Sequence, residues 1–255
     1  MDIVIAGYGF VGHAVAAKFS KHMDITVVDP KLGSETVADY ENVDGVIICV
    51  NTPESANSSC DFSNVIAVLE TVESNIPVII KSAVDVPAVL AIKEKFPNHQ
   101  ITYSPEFLRA NTADRDFAAQ QFVILGGGDQ QFWEKVWTQA FPYIEVHLIS
   151  DIEASIVKYA ENSFLALKTT FFNQLYDLCE ATGAEFQNVR WSLCRDERIG
   201  LDHSLVPGPD GKRGWGGHCF PKDTAAIVKF AQEVGANFTL IEEARKYNSK
   251  VRDNE

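Results

Sequence analysis

The chain has 255 residues, with 22 basic and 35 acidic side chains and a formal net charge of −13. Hydrophobic residues make up 46% and charged residues 22%, which is typical of a globular protein and excludes a disordered tail, a collagen-like fibre and a coiled coil. The acidic balance argues against a nucleic-acid partner, because phosphate backbones are bound by clustered Lys and Arg. It does not exclude a nucleotide held by backbone amides.

The cysteines and the N-terminus predict a reducing, cytoplasmic setting. Five cysteines at irregular spacing form neither a disulfide framework nor a paired metal motif, and we expect no bound metal. Asp2 stands where a signal peptide would carry a positive charge. No apolar stretch approaches the length needed to span a bilayer, so we expect no membrane partner.

The first half of the chain alternates short apolar runs with helical stretches. The apolar runs are rich in Val and Ile with little polar alternation, as in strands buried on both faces of a parallel sheet. This alternation predicts an α/β fold with a doubly wound parallel sheet over residues 1–150. The predicted strands are Asp2–Ala6, Ile25–Val28, Val46–Val50, Val78–Ile80, Ile101–Tyr103, Phe122–Leu125 and Glu145–Ile149, and the predicted helices include Phe10–Ser20, Ser63–Glu73 and Val86–Phe96.

After Ser150 the pattern becomes helical, which predicts a smaller all-helical domain over residues 151–255. Residues 151–182 contain no Gly or Pro, and a helix of that length typically connects domains or forms a dimer spine. Residues 197–218 are rich in Gly, Pro and charge, which predicts a loop, and a loop of that length in a compact chain is usually functional. Shorter helices are predicted near 185–194, 221–234 and 238–251. The apolar residues predicted to form a buried stripe on the long helix are Ile152, Ile156, Tyr159, Leu167, Phe171, Leu175 and Leu178.

A G-x-G-x-x-G motif follows the first predicted strand and leads into a helix. Gly7 allows the tight turn, Gly9 allows a pyrophosphate to approach the backbone, and Gly12 allows the helix to pack closely on the strand. Asp29 ends the second strand about 20 residues later, where a carboxylate accepts the ribose hydroxyls and repels a 2′-phosphate. The motif therefore predicts a Rossmann-type dinucleotide site that prefers NAD to NADP, although Lys31 could soften that preference.

The run Gly214-Trp215-Gly216-Gly217-His218-Cys219-Phe220-Pro221-Lys222-Asp223 is the most informative stretch. Pro221 suits the first position of a helix, which would place Cys219 just before the helix N-terminus, where amide dipoles favour a thiolate. Asp223 would then lie in the first turn and orient a nearby group. A small buried cysteine before a helix is the structural alternative.

On the long helix, Lys158 and Asn162 are four residues apart and share a face. A cation and an amide in that arrangement can both donate hydrogen bonds to a developing oxyanion. A snorkelling Lys beside an exposed Asn is the alternative for this pair considered alone.

These residues together resemble the UDP-glucose/GDP-mannose dehydrogenase family. The order and spacing of the motifs agree from the N-terminus to nearly the end of the chain, and the cysteine-containing run is the most specific. The other matching pieces are Gly7-Tyr8-Gly9-Phe10-Val11-Gly12, Val50-Asn51-Thr52-Pro53, Lys81-Ser82, Ser104-Pro105-Glu106-Phe107-Leu108-Arg109, Lys158-Tyr159-Ala160-Glu161-Asn162-Ser163-Phe164-Leu165-Ala166 and Arg198-Ile199-Gly200.

The resemblance implies oxidation of a sugar-nucleotide 6-hydroxyl to a carboxylate with two NAD⁺, most naturally UDP-glucose to UDP-glucuronate. Cys219 would trap the aldehyde as a thiohemiacetal and carry the later thioester. Lys158 and Asn162 would stabilise oxyanions, Asp223 would position Lys158 or a water, and Glu106 would handle water or protons. The remaining implied contacts are Gly7, Gly9, Phe10, Val11, Gly12, Asp29, Thr52, Pro53 and Ser82 to NAD, and Phe107, Leu108, Arg109, Arg198, Gly216 and Gly217 to the sugar nucleotide.

The resemblance also implies a homodimer, because Arg198 corresponds to an arginine that reaches the sugar site of a neighbouring subunit. Two residues depart from the family pattern: Ala83 stands where Thr is usual, and Ala110 stands where a second Glu is usual. The resemblance implies that both positions lie near the water and the cysteine, so we expect both departures to affect thioester hydrolysis. The sequence also ends where the family continues into a third domain that holds the nucleotide, so we expect a short form, a fragment or a chain completed by a partner.

Two other functions fit parts of the sequence. A one-hydride dehydrogenase of the 3-hydroxyacid type shares the nucleotide domain and the Lys-x-x-x-Asn pair but does not need Cys219. A catalytically silent NAD-binding module that assembles with a full-length partner is compatible with Ala83 and Ala110.

Overall fold

The computed structural model describes residues 1–33, 35–55 and 59–253. The chain divides into two compact units, Met1–Lys158 and Tyr159–Glu255. The boundary between them falls inside one long helix, a few residues beyond the predicted boundary at 150. The assignment of NAD binding to the first region and of the catalytic cysteine to the second stays a prediction.

The described residues of the first unit contain a seven-stranded sheet in the order β2-β1-β3-β4-β5-β6-β7. The first five strands are parallel. β6 runs antiparallel to β5, which it meets through Tyr103 and Gly126, and β7 is parallel to β6. The predicted doubly wound sheet is confirmed, although it is mostly rather than wholly parallel. The strands are β1 (Asp2–Ala6), β2 (Asp24–Val28), β3 (Gly45–Ile48), β4 (Val78–Ile80), β5 (Ile101–Tyr103), β6 (Phe122–Gly126) and β7 (Glu145–Ile149).

Helices cover both faces of the sheet, because alternate residues of each buried strand point to opposite sides. Ile3 and Ile5 of β1 pack into one apolar cluster, and Val4 and Ala6 pack into another. The first cluster includes side chains of α1, α4 and α5, and the second includes side chains of α2 and α3. These helices are α1 (Phe10–Phe19), α2 (Ser63–Leu69), α3 (Val86–Lys95), α4 (Ala113–Ala118) and α5 (Gln130–Ala140).

The strand order reverses beside β1, which pairs with β2 on one side and with β3 on the other. At the carboxyl ends of these strands, the Gly7 amide donates to Val28 O at 2.8 Å and the Cys49 amide donates to Ala6 O at 2.7 Å. The carboxyl edge at such a reversal is where doubly wound sheets bind ligands. The fold therefore places the G-x-G-x-x-G turn at this edge.

No residue from 159 to 253 lies in a strand, which agrees with the predicted helical region. A small apolar core in this unit includes Phe172, Cys179, Phe186 and Cys194. The helices are α6 (Asp151–Thr182), which begins in the first unit, and α7 (Phe186–Leu193), α8 (Cys219–Glu233) and α9 (Thr239–Asp253).

Two predictions about these helices are wrong. Ile156, Phe171 and Leu178 are exposed rather than part of a buried stripe, because helical spacing does not show which face the chain itself covers. α8 begins at Cys219 rather than at Pro221. The first four amides of a helix have no intrahelical acceptor, so Pro is tolerated at the third position as well as at the first.

Candidate active site

The G-x-G-x-x-G turn is shaped by the space around each glycine. Gly7 has a φ of +95°, and a Cβ there would lie 2.7 Å from Cys49 O. A Cβ on Gly12 would overlap Gly7 O, so the helix packs as closely as its backbone allows. Gly9 differs from both, because a Cβ there would meet no atom within 4 Å. Gly7 and Gly12 are thus needed by the fold, while Gly9 faces open space that a pyrophosphate can fill.

The N-terminus of α1 offers backbone donors at the same place. Gly9 is the N-cap residue, and no side chain caps the helix. By contrast, the N-terminus of α3 is capped by the Asp85 carboxylate, which accepts from Ala88 N at 2.9 Å. Phe10 is exposed and Val11 is half-buried in the first turn of α1. An uncapped helix N-terminus beside a glycine turn suits a bound phosphate group.

Asp29 lies directly after β2 and is held by two backbone amides. Its Oδ1 accepts from Lys31 N at 2.8 Å and its Oδ2 accepts from Tyr8 N at 2.7 Å. Hydrogen bonds from these amides, of which the one from Lys31 has the larger effect, hold the pKa of the Asp29 carboxyl below its usual value. The carboxylate is thus ionised and fixed, and each oxygen keeps a lone pair for a ribose hydroxyl.

A cavity of about 400 Å³ connects these elements. It is lined by Gly7, Gly9 and Asp29, by Lys31, by the residues that directly follow β3, and by residues of α2. A volume of this size suits part of a dinucleotide. The geometry of the turn, the uncapped helix and the fixed carboxylate therefore fits NAD.

Thr52, Pro53 and Ser82 follow the carboxyl ends of β3 and β4. The Thr52 hydroxyl donates to Ala83 O at 2.8 Å, and the Ser82 hydroxyl donates to Val50 O at 2.7 Å. Pro53 is exposed. The two hydroxyls tie neighbouring loops together at the edge of the sheet that carries the glycine turn, and their oxygens keep acceptor capacity toward a cofactor.

Glu106 is held by a buried lysine and by the backbone that follows it. Its Oε1 accepts from Phe107 N at 2.9 Å and from Leu108 N at 3.3 Å. Its Oε2 lies 3.0 Å from Nζ of Lys81, a side chain that is almost fully buried. Nζ of Lys81 also donates to the Ser104 hydroxyl at 3.3 Å. The carboxylate is therefore charge-paired and orientated, which sequence reasoning did not show.

The residues after Glu106 have separate environments. The Phe107 ring lies 5.0 Å from Nζ of Lys158, and Leu108 packs against the core. Arg109 forms a two-pronged ion pair with Asp116, at 2.8 and 2.9 Å. Hydrogen bonding to Arg109 holds the pKa of the Asp116 carboxyl well below its usual range.

The two departures from the family pattern lie near these loops. Ala110 begins a short 3₁₀ helix and lines an open pocket of about 750 Å³ beside the glycine turn. The carbonyl of Ala83 accepts from Thr52 and from the Cys60 thiol. Neither alanine has a side chain that can hold a water.

In the second unit, Cys219 is the first residue of α8 and its side chain is exposed. The other four cysteines, all within the described residues, are buried. Burial raises the pKa of the Cys49 thiol to about 12, which excludes it as a nucleophile near neutral pH. No side chain caps the N-terminus of α8. Cys219 is thus the accessible thiol, and it is the first residue of α8 rather than the residue just before the helix.

Asp223 is at the centre of a buried polar cluster four residues after Cys219. Its Oδ2 accepts from Asn162 Nδ2 at 2.5 Å, and its Oδ1 lies 2.7 Å from Nζ of Lys222. Nζ of Lys222 also lies 3.5 Å from the Tyr159 hydroxyl. Asn162 is 5% exposed, so it is not the exposed Asn of the alternative considered for the Lys158–Asn162 pair, and Asp223 is 1% exposed. Asp223 therefore orientates the Asn162 amide.

The predicted sugar-nucleotide residues of the second unit lie in the long loop. Gly217 has a φ of +76° and open space around it, whereas a Cβ on Gly216 would overlap the Arg252 side chain. Arg198 is exposed and forms an ion pair with Asp196 at 2.6 Å. Asp196 raises the pKa of the Arg198 guanidinium above its usual value.

Sequence reasoning missed Lys81 and Lys222 as site residues. Each is a buried lysine paired with a predicted site carboxylate, at 3.0 Å and 2.7 Å respectively. Lys222 could have been found from its position beside Asp223 in the cysteine-containing run. Lys81 stands 25 residues before Glu106 in the chain, and only the pairing of β4 with β5 brings the two strand ends together.

Across the described residues, no group of three or more His, Cys, Asp or Glu side chains is arranged to hold a metal ion. Within the same residues, no helix combines the length and the apolar character that crossing a membrane requires.

Comparisons with known proteins agree with this geometry. Residues 31–140 match the NAD binding domain of the UDP-glucose/GDP-mannose dehydrogenase family, and residues 152–250 match the central domain. The UDP-glucose 6-dehydrogenase of Pseudomonas aeruginosa is 32% identical over 238 residues, which cover 86% of this chain and 51% of that protein. The enzyme of the same name from Rhizobium meliloti is 35% identical over 217 residues, covering 78% and 48%.

The solved structure of a UDP-glucose dehydrogenase from Pyrobaculum islandicum has the same fold. Its TM-score is 0.82 at 23% sequence identity, and the match covers 98% of this chain and 68% of that one. The chain spans about half the length of the curated relatives it matches. The resemblance inferred from the motifs is confirmed, and the chain belongs to the UDP-glucose/GDP-mannose dehydrogenase family.

Proposed function

We propose that this chain catalyses NAD-dependent oxidation of a sugar-nucleotide 6-hydroxyl to a carboxylate, with UDP-glucose as the first substrate to test. The observation that carries the proposal is the position of Cys219, an exposed thiol at the first residue of α8 and four residues from the buried Asp223 cluster. The names of the curated relatives support the choice of substrate.

NAD supplies the hydride acceptor for both oxidation steps. Asp29 binds the ribose hydroxyls through two oxygens that are already orientated by backbone amides. The uncapped amides of α1 hold the pyrophosphate, with Gly9 leaving the space for it. A fixed carboxylate repels a 2′-phosphate, so this site prefers NAD to NADP.

Cys219 and the polar groups of α6 act on the sugar. In the first oxidation C6 loses a hydride and the hydroxyl loses a proton, with Lys158 and Asn162 stabilising the alkoxide. The sulfur of Cys219 then forms a bond to the aldehyde carbon, and loss of a second hydride gives the thioester. Water attacks the thioester, the C–S bond breaks, and the thiolate and carboxylate are released. Overall, an alcohol and a water become a carboxylate, two hydrides and three protons.

Thioester hydrolysis is the slow step in this proposal. Ala83 and Ala110 carry no group that can hold the attacking water, so Glu106 is left to activate it. General-base assistance is worth about 10²–10⁴-fold, so partial loss of it is visible in the kinetics. We expect a burst of NADH followed by a slow phase when the reaction is started by rapid mixing.

The stoichiometry of NADH formed per substrate consumed tests the proposal. Two NADH per UDP-glucose are expected from the wild-type chain. Cys219→Ser is expected to form the first NADH but not the second. One NADH from the wild type would favour the one-hydride 3-hydroxyacid type. If the chain binds NAD but forms no NADH with any sugar nucleotide, the silent NAD-binding module is favoured. That module is the second candidate function because Ala83 and Ala110 are compatible with it.

We also propose that the chain forms a homodimer through α6. Phe164, Phe171 and Leu178 are spaced by seven residues and are 64%, 53% and 59% exposed. That spacing places them on one face of the helix, and a row of exposed large apolar residues is typical of a protein interface. Sedimentation at micromolar concentration is expected to show a dimer that Phe171→Asp dissociates. A wild-type monomer would contradict this assembly.

A further inference from the structure

One face of α9 is directed at the segment that carries Cys219. Arg245, Asn248 and Arg252 are spaced by three and four residues, so their side chains project from the same side of the helix. All three contact the chain between residues 210 and 224, on both sides of Cys219. All these residues belong to the second unit.

Asn248 makes the most specific of these contacts. Its Oδ1 accepts from Trp215 N at 2.7 Å, and its Nδ2 donates to Trp215 O at 2.9 Å. One side-chain amide therefore satisfies both backbone polar groups of a loop residue, as a neighbouring strand would. Asn248 is 8% exposed and Trp215 is 6% exposed, so water does not easily replace these bonds.

The arginines hold the segment on either side. Nη1 of Arg245 donates to Pro221 O and to the Thr224 hydroxyl, both at 2.8 Å, within the first turns of α8. Nε of Arg252 donates to Trp215 O at 3.0 Å, and its Nη2 lies 2.8 Å from Asp210 Oδ2. Cys219 thus lies between two stretches of backbone that are bonded to the same helix.

α6 supports the loop from a second direction. Asn173 Oδ1 accepts from Gly214 N at 2.9 Å, and the Trp215 indole donates to the Thr170 hydroxyl at 2.9 Å. Gly214 has a φ of +69°, and a Cβ there would overlap Asn248 Oδ1. Glycine at 214 therefore allows the close approach that brings the Asn248 amide onto the next residue.

We propose that Asn248 is a positioning residue for the nucleophile, acting through Trp215 and the glycines that follow it to fix where α8 begins and where the Cys219 thiol lies. The catalytic meaning of this role rests on the proposed function, but the fixing of the segment does not. An error of about 1 Å in the placement of reacting groups lowers the rate about a hundredfold. A loosened loop is therefore expected to lower the turnover rate even where the protein still folds.

The test compares Asn248→Asp with Ser249→Asp in the full chain. In Asn248→Asp, the introduced carboxylate keeps an acceptor for Trp215 N but loses the donor to Trp215 O. Ser249 is exposed on the adjacent position of the same helix, so its variant matches the change in charge. Asn248→Ala, which loses both bonds, is the second variant. The wild type and all three variants are measured by amide hydrogen exchange and by the ¹⁵N-indole resonances of the tryptophans.

In both Asn248 variants we expect exchange to rise about tenfold or more in residues 214–224, with Asn248→Ala the more affected. In the Asn248 variants the indole resonance of Trp215 should move, while those of Trp133, Trp137 and Trp191 should stay as in the wild type. In the Ser249→Asp protein all four indole resonances and the exchange of residues 214–224 should stay as in the wild type. If the wild type forms NADH, turnover should fall at least tenfold in Asn248→Asp with NAD affinity within twofold.

Two results would overturn the proposal. Unchanged exchange in residues 214–224 would show that Asn248 does not hold the segment. Exchange that rises equally throughout residues 159–253 would show that Asn248 only stabilises the fold. A wild type that forms no NADH would reject the proposed function while leaving both exchange outcomes decisive.

Discussion

Two glycine-rich segments of this chain, one in each unit, are held in different ways. In the turn at Gly7–Gly12, the chain's own backbone sets the conformation, since added Cβ atoms at Gly7 and Gly12 would meet the backbone of Cys49 and Gly7. In the segment before Cys219, side chains from α6 and α9 set it, through Asn173 and Asn248. The first arrangement depends on contacts with main-chain atoms, which no side-chain substitution removes, and tolerates little change at the glycines themselves, whereas the second depends on side chains that a single substitution can remove.

The largest effect that tests this comparison is expected from Gly12→Ala. The new Cβ would overlap the Gly7 carbonyl, and a clash with backbone cannot be relieved by a rotamer change. We expect a loss of about 3 kcal/mol or more in the free energy of unfolding, measured by urea denaturation. Gly9→Ala is the matched control and should fold as the wild type while binding NAD at least tenfold more weakly, so equal stability of the two variants would contradict the assignment.

A smaller effect is expected from Asp29→Ala, which tests the cofactor side of the comparison. If the Asp29 carboxylate accepts the ribose hydroxyls as proposed, its removal should weaken NAD binding about tenfold and improve the relative binding of NADP, because a charge-assisted hydrogen bond is worth about 1.5–3 kcal/mol. Titration calorimetry with both cofactors measures this change. Asp24→Ala, at the opposite end of β2, is the control and should leave both affinities unchanged. Wild-type protein that binds NADP as tightly as NAD would be inconsistent with this role.

The smallest effect concerns the side chains that hold the second segment. The Tyr247 hydroxyl donates to Asp177 Oδ2 at 2.5 Å and accepts from Arg213. Burial of the hydroxyl, together with its hydrogen bond to Asp177, raises the pKa of Tyr247 to about 12. Because the folded pKa lies above the unfolded value of about 10, this stabilisation is complete below pH 10 and is lost as the pH rises through about 12.

Tyr247→Phe should therefore lower the melting temperature by about 2–4 °C at neutral pH, consistent with a loss of about 1 kcal/mol. The difference from the wild type should shrink between pH 10 and 12. Tyr143→Phe is the control, because Tyr143 is 99% exposed. A difference that is constant with pH would show that the hydrogen bond to Asp177 is not its source.

The comparison also explains what could be predicted from the sequence. The strands, the glycine turn and Asp29 follow from local patterns, because buried strands and tight turns restrict residue types directly. Asn248 could not be identified, since its partner Trp215 is 33 residues away and no spacing rule connects them. The exposure of Phe171 and Leu178 was also missed, because periodicity marks an apolar face without showing what covers it.

The central claim is that Cys219 is the nucleophile of a sugar-nucleotide oxidation. Its most direct test is mass spectrometry of the protein quenched during turnover with NAD and UDP-glucose, followed by peptide mapping. The account predicts a covalent acyl adduct on the peptide that contains Cys219, accumulating during the NADH burst and absent from Cys219→Ser. NADH formation by the wild type with no adduct at any time would contradict the claim.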